Sequence, residues 1–321
     1  MARADGVLVA GAGALGSVFG GLLAAHGLPV TLLGRAQHLD AIARDGLRLD
    51  GLFGSHHVTA LRCATDAREL RDRFATILLT VKSWDTRGML EAVAAWLTPD
   101  GHVICLQNGL GNLETAADVV GRARVLGGRV IFGAEVEAPG RVRVTVIADP
   151  VLVGAPDPGD AALDAAARTW AERFAAAGIP SRHTGRLVPE LWAKVLYNAA
   201  LNPAGALLGV PYGRLAADPD TRAIMDAVLD EAFAVAQACG VALAWATPME
   251  YRQVFYGRLV PATADHRSSM LQDLERGRPT EIDAINGYLV RRGAALGVAT
   301  PVNATLAGLV RARVRRVAEG R

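Results

Sequence analysis

The chain has 321 residues, of which 51% are apolar and 21% charged, and its formal net charge is only +2. That length suits two domains, because a single core usually stops growing by about 250–300 residues. So small a net charge excludes a broad nucleic-acid or membrane-surface binder, and the basic stretch Arg311–Arg316 reads as a solvated helix end. Cys63, Cys105 and Cys239 are far apart and odd in number, so neither a disulfide framework nor a metal cluster is expected, and a reducing, cytoplasmic setting is. No secretory leader is expected, and no apolar window approaches the ~18 residues of a membrane span.

In chain order, Val7–Gly11 is a short apolar run ending in glycine, Ala14–His26 has helical periodicity, and Pro29–Gly34 is a second apolar run. This is a strand–helix–strand unit, with Gly27 closing the helix. Further strands are predicted at Ala75–Val81, His102–Gln107 and Arg124–Phe132, with helices near Leu39–Asp45, Thr86–Trp96 and Leu113–Val120. Such alternation predicts a parallel sheet covered on both faces. Val130–Val136 and Arg141–Ile147 flank Ala138-Pro139-Gly140 and predict an antiparallel hairpin, with Val151–Gly154 as one more strand. Asp160–Ala177 is helical in pattern. From Pro189 onward strand signals nearly vanish, and 189–201, 218–239, 247–256, 267–276, 280–296 and 302–318 read as helices. The expected fold class is α/β: an N-terminal Rossmann-type parallel sheet over residues 1–185 and an all-helical C-terminal domain over 186–321.

Gly11-Ala12-Gly13-Ala14-Leu15-Gly16 is a G-x-G-x-x-G pattern that follows a strand and opens a helix. Gly11 permits the tight turn, Gly13 lets backbone approach a pyrophosphate, and Gly16 lets helix and strand pack closely. The helix N-terminus offers free N–H groups to phosphate. After the second strand, where an NAD-selective site would carry Asp or Glu, stand Gly34 and Arg35. Arginine suits a 2′-phosphate, so NADPH is the expected cofactor. Lys82 follows the strand Ala75–Val81 and is placed to face cofactor phosphate or ribose, unless it is a solvated loop lysine. Asn108, in Gln107-Asn108-Gly109, can fix an amide or hydroxyl near a nicotinamide, although Asn-Gly is also a common turn.

Lysine is rare: of 34 basic residues only Lys82 and Lys194 are lysines. A lysine can give up its proton, which an arginine cannot. Lys194, Asn198 and Asn202 are spaced i, i+4, i+8 and make one polar row on an otherwise apolar helix that begins near Pro189. A buried polar row needs partners or a substrate. Further on, Ser269 and Asp273 share a helical face, Thr280 and Asp283 have capping-box-like spacing, and Glu281 falls in a helix first turn, where compensation of the helix dipole is the plain alternative.

These segments resemble the ketopantoate reductases (2-dehydropantoate 2-reductases) over nearly the whole chain. The resemblance rests on the Gly11–Gly16 turn, Gln107-Asn108-Gly109, the Trp192-Ala193-Lys194 to Asn202-Pro203 helix, Ser268-Ser269-Met270-Leu271-Gln272-Asp273 and Thr280-Glu281-Ile282-Asp283-Ala284-Ile285-Asn286-Gly287. It implies hydride delivery from NADPH to the ketone carbon of a 2-oxo acid, with 2-dehydropantoate as the first choice of substrate. Lys194 matches the family's general acid and Glu281 the carboxylate that holds the substrate's other hydroxyl. Asn198 and Asn108 match amides near substrate and nicotinamide, Ser269 a hydroxyl for the substrate carboxylate, and Arg35 and Lys82 contacts on the adenosine phosphate side. Asn202, in the same row as Lys194 and Asn198, is a further substrate-binding candidate. The chain departs from the pattern at Tyr212 and His266, which stand where asparagines are usual in the substrate region. The reaction type is untouched by that departure, but another 2-oxo acid then becomes the alternative substrate. A non-catalytic NADP-binding sensor is the remaining alternative, disfavoured by the presence of both Lys194 and Glu281. The substrate is expected in a cleft between the domains, and the apolar helical domain leaves room for a homodimer.

Overall fold

The computed structural model describes residues 6–319. By its internal contacts the chain divides into two compact units, the first running to Asn108 and resuming over Asn112–Leu187, the second made of Gly109–Gly111 and Val188 onward.

The first unit is built on one ten-stranded sheet. Its strands are β1 (Val7–Ala10), β2 (Val30–Leu33), β3 (Leu47–Gly51), β4 (His56–Val58), β5 (Leu61–Ala64), β6 (Phe74–Leu79), β7 (Leu97–Cys105), β8 (Val125–Ala138), β9 (Arg141–Gly154) and β10 (Ser181–His183). Its helices are α1 (Ala14–Ala25), α2 (Ala36–Asp45), α3 (Thr86–Val93), α4 (Asn112–Val120) and α5 (Ala161–Ala176). The spatial order is β4-β3-β9-β8-β7-β6-β1-β2-β5, with β10 beside β9. The run from β5 through β2, β1, β6 and β7 to β8 is parallel. Both faces are covered, as the unbroken apolar strands require: Val7 and Val9 pack with Phe19, Leu22 and Phe174 on one face, Leu8 and Ala10 with Leu79, Leu90 and Val93 on the other. Adjacent residues of β1 thus feed different cores because side chains alternate along a strand.

The expected hairpin is present as the antiparallel pair β8 and β9. Two details differ. The segments read as separate strands at 124–132 and 130–136 are one strand, and Val151–Gly154 is the far end of β9, reached through register shifts. Such shifts bend a long strand without ending it. The short strands β3, β4, β5 and β10 carried no clear signal of their own.

The second unit is helical: α6 (Leu187–Leu208, whose first residue is counted with the other unit), α7 (Tyr212–Ala217), α8 (Pro219–Ala238), α9 (Pro248–Val254), α10 (Ser269–Glu275), α11 (Asn286–Leu296) and α12 (Pro301–Glu319). Its buried apolar residues include Leu196, Ala200 and Leu201 of α6, Val228, Leu229 and Val235 of α8, Leu289 of α11 and Ala307 and Val310 of α12, and α8, α11 and α12 pack on one another. The helix read over 280–296 is interrupted: Glu281–Ala284 is a 3-10 turn, and α11 restarts after Ile285 at φ −107°, ψ −100°. The Ala284 carbonyl accepts there from the Leu110 N–H at 2.8 Å, from outside the helix. The expected 247–256 helix runs on through a π-type turn at Phe255–Leu259.

One helix contains a proline. α6 continues past Pro203, which has no N–H to give the Ala199 carbonyl. The Asn286 Nδ2 donates to that carbonyl at 3.1 Å and supplies the missing bond. The same amide donates to Asn303 Oδ1 at 2.9 Å, and Asn303 Nδ2 donates to Glu231 Oε2 at 2.7 Å. Glu231 also accepts the Val302 and Asn303 N–H groups at 2.8 and 2.9 Å. A buried chain of amides therefore anchors α6 one residue from Asn198.

Candidate active site

At the end of β1 the chain turns through Gly11, whose φ is +113°. A Cβ on Gly11 would lie 2.4 Å from the Val81 nitrogen, and one on Gly16 would lie 2.3 Å from the Gly11 carbonyl oxygen. Both positions are glycine because backbone packs on backbone. Gly13 is different: its φ is −85°, and a Cβ there would meet nothing within 4 Å. It caps α1 without a side-chain hydrogen bond, and the first turn of α1 carries no acidic residue. First-turn N–H groups and the positive end of the helix dipole are left facing open space, which fits a pyrophosphate. Thr80 Oγ1 steadies the turn by donating to the Gly11 carbonyl at 2.9 Å. Ala12, Ala14 and Leu15 complete it.

Gly34 approaches this turn so closely that a Cβ would sit 3.0 Å from Ala12 Cβ. Close packing is thus a second reason for glycine there, besides the absence of a carboxylate. Arg35 is the exposed N-cap of α2, and its guanidinium makes no ion pair or hydrogen bond among the described residues. Lys82 is half-buried at the start of a 3-10 turn, Ser83–Asp85, with Nζ 5.9 Å from the centre of the Trp84 ring.

Asn108 is half-buried at the end of the segment that follows β7. Its carbonyl accepts from Ser83 Oγ at 2.9 Å and from Asn112 Nδ2 at 3.0 Å. Behind it runs a buried relay: Gln107 Nε2 donates to Thr86 Oγ1 at 2.9 Å, and Thr86 Oγ1 donates to Asn112 Oδ1 at 3.0 Å. Sequence reading named Asn108 but not Ser83, Thr86 or Asn112, whose roles depend on partners distant along the chain.

In the second unit Lys194, Asn198 and Asn202 lie along α6. Lys194 and Asn198 are half-buried and Asn202 is 4% exposed, with Leu191, Val195, Leu196 and Leu201 buried around them. Asn202 Oδ1 accepts from the Tyr212 hydroxyl at 2.6 Å. Glu281 is buried as the first residue of its 3-10 turn. The predicted capping box is not formed: Thr280 Oγ1 is buried without a hydrogen-bond partner, and Asp283 instead takes Arg311 Nη2 at 2.5 Å. The longer reach of a glutamate is missing at that position, and an arginine lies at hand. Ser269 is exposed at the first position of α10, while its neighbour Ser268 is buried and caps that helix by accepting from the Leu271 N–H at 3.1 Å. Asp273, expected to share a face with Ser269, is buried.

No group of three or more His, Cys, Asp or Glu residues suited to a metal occurs among the described residues. The three cysteines are free thiols, and burial pushes the Cys105 pKa up to about 12. No helix among the described residues is long and apolar enough to cross a membrane.

A parallel run of strands whose first member ends in an uncapped, glycine-bounded helix start is the dinucleotide-binding arrangement of the Rossmann fold. Residues 7–158 match the family described as ketopantoate reductase PanE/ApbA, and residues 186–314 match its C-terminal domain. The chain is 36% identical to a 2-dehydropantoate 2-reductase of Aquifex aeolicus over 95% of this chain and 96% of the relative. It is 35% identical to the 2-dehydropantoate 2-reductase of Halobacterium salinarum over 95% and 97%. Among solved structures, a PanE/ApbA family ketopantoate reductase from Ralstonia eutropha aligns with TM-score 0.86 at 34% identity, covering 97% of this chain and 99% of that one. D-mandelate dehydrogenase, in a ternary structure with NADH and anilino(oxo)acetate, aligns with TM-score 0.87 at 27% identity over the same shares. The chain belongs to the ketopantoate reductase family.

Proposed function

We propose that this protein reduces 2-dehydropantoate to pantoate with NADPH, as a step toward coenzyme A. The observation that carries the reading is Lys194, one of two lysines in the chain, half-buried in a polar row on an apolar helix. When bound, the cofactor supplies a hydride to the ketone carbon. The Gly11–Gly16 turn and the start of α1 hold its pyrophosphate, and the Arg35 guanidinium takes the 2′-phosphate with a charge-assisted pair. Lys82 faces the phosphate or ribose, and Asn108 orients the nicotinamide end. Asn198, Asn202 and Ser269 hold the oxo acid, and Glu281 accepts from its hydroxyl. As the ketone oxygen gains charge, the Lys194 ammonium stabilises it and gives it a proton, leaving a neutral amine that solvent reprotonates. Arginine could stabilise that charge but not supply the proton.

A second substrate reading, another 2-oxo acid, is favoured by one observation: the Tyr212 ring lies against both Tyr197 and His266, an aromatic group at the Asn202 end of the row. The similarity to D-mandelate dehydrogenase, bound there to an aryl oxo acid analogue, supports it. Steady-state NADPH and NADH oxidation over a panel of aliphatic, hydroxylated and aryl 2-oxo acids tests both. The first reading expects the highest kcat/KM with 2-dehydropantoate and NADPH; no turnover with any member would reject both. The free thiols fit a cytoplasmic setting, and light scattering tests for a homodimer.

A further inference from the structure

Tyr212 opens α7 and is 3% exposed. Its ring packs edge-on to Tyr197 at 5.8 Å and tilted against His266 at 5.2 Å. Its backbone N–H donates to the His266 carbonyl at 3.2 Å, and the next N–H, of Gly213, donates to the Ala264 carbonyl at 2.8 Å. Tyr197 is pinned in turn by a 2.5 Å hydrogen bond between its hydroxyl and Thr263 Oγ1. The Tyr212 phenol is therefore held by ring packing and by backbone before its hydroxyl is considered.

That hydroxyl has one hydrogen-bond partner, Asn202 Oδ1. Burial raises the phenol's pKa, so the proton stays on the oxygen. A buried O–H proton left unpaired is costly, which fixes the face that the amide turns toward it: the oxygen, not the nitrogen. An amide offers an acceptor on one side and donors on the other, and here the acceptor side is turned to the phenol.

We infer that Tyr212 is a specificity-determining positioning residue: by holding Asn202 Oδ1 it fixes the orientation of the last amide of the Lys194–Asn198–Asn202 row, with the oxygen toward the phenol and the Nδ2 donors turned the other way. The row then receives an accepting oxygen of a 2-oxo acid at this end and refuses a group that must donate. The inference rests on the proposed function, in which Asn202 faces substrate.

The test is a cycle of Tyr212→Phe, Asn202→Ala and their combination, read by steady-state kinetics, calorimetry with the 2-oxo acid, and thermal midpoint. Tyr212→Phe keeps the ring and removes the hydroxyl. It is expected to raise KM for the oxo acid about fivefold, the cost of one lost hydrogen bond, with kcat and the KM for NADPH within about twofold. Because Tyr212 acts through Asn202, the double variant should be no worse than Asn202→Ala alone. A role in folding alone would lower the midpoint and leave this split unmoved. Asn202→Asp gives a second reading that does not depend on removing the hydroxyl. Its carboxylate still accepts from Tyr212 but has no donor, so the fold should hold and oxo-acid binding should fall below that of Asn202→Ala. Losses that multiply in the double variant, an unchanged KM in Tyr212→Phe, or wild-type binding by Asn202→Asp would overturn the inference while leaving turnover, and the proposed function, standing. A wild-type protein that neither binds nor reduces any 2-oxo acid would remove both.

Discussion

At the Gly11–Gly16 turn the atoms that face open space are main-chain N–H groups, and what sets them there is the absence of side chains at Gly11 and Gly16. On α6 the atoms proposed to meet substrate are side-chain tips, and the helix that carries them is held by other side chains: Tyr212 on Asn202, and the Asn303–Asn286 chain on the Ala199 carbonyl. Backbone presentation suits a cofactor shared by many folds, because the N–H array is the same wherever a helix begins. Side-chain presentation can be retuned residue by residue, which is where substrate choice belongs. The first device tolerates no added atoms at Gly11 and Gly16, whereas the second tolerates changes of shape but depends on distant partners.

The sharpest separation comes from Lys194→Ala. Loss of the proton donor should cut kcat about a thousandfold, while the affinity for NADPH, measured by fluorescence titration, stays near wild type. If both fall together, the two units do not divide the work in this way.

The glycines allow a split within the first unit. Gly16→Ala puts a Cβ 2.3 Å from a backbone oxygen, so it should unfold or strongly destabilise the unit. Gly13→Ala meets nothing within 4 Å and needs no unusual φ, so the thermal midpoint should hold. NADPH should nonetheless bind about tenfold more weakly, because the new methyl occupies the approach to the pyrophosphate. Equal NADPH affinity in Gly13→Ala would mean that the open space over that residue is not where the cofactor lies.

The backbone device was readable in the sequence because its constraint is written as residue type at fixed spacing, directly after a strand. The polar row on α6 was readable too, since i, i+4, i+8 spacing puts three residues on one face of any helix. What holds that row was not. Asn286 and Ala199 are 87 positions apart, and nothing near Pro203 says which side chain makes up for its missing N–H. The break at Ile285 was hidden for the same reason: helical periodicity runs through it, and the Leu110 N–H that meets the Ala284 carbonyl comes from far along the chain. The Thr86–Asn112 relay and the Tyr212 bond to Asn202 likewise exist only once distant segments meet.

The compensation at Pro203 can be broken and then repaired. Asn286→Ala should cost about 1–3 kcal/mol in denaturant unfolding, since it strands the Ala199 carbonyl and the Asn303 Oδ1. Adding Pro203→Ala restores a backbone N–H to that carbonyl, so the double variant should be more stable than Asn286→Ala alone. A double variant less stable than either single one would show that the proline is valued for something other than the bond it lacks.

The smallest effect concerns His38, which lies in the first unit three residues beyond Arg35. Its Nδ1 accepts from the Gly140 N–H at 3.1 Å, so the ring proton is on Nε2, which lies 2.9 Å from Ser17 Oγ. The Gly140 contact requires the neutral ring, and burial lowers its pKa from the ordinary 6.5. Below that ordinary value the unfolded chain takes up a proton that the folded chain refuses, so stability rises with pH across the window between the folded and unfolded values. His102 and His266 are lowered in the same sense, again chiefly by burial. The thermal midpoint should therefore be level above about 6.5 and decline as the solution is made more acidic. In His38→Gln the decline should be shallower, because one of the three refused protons is gone. A His38→Gln profile parallel to that of wild type would mean that the imidazole accepts its proton in place, with the Gly140 contact already open.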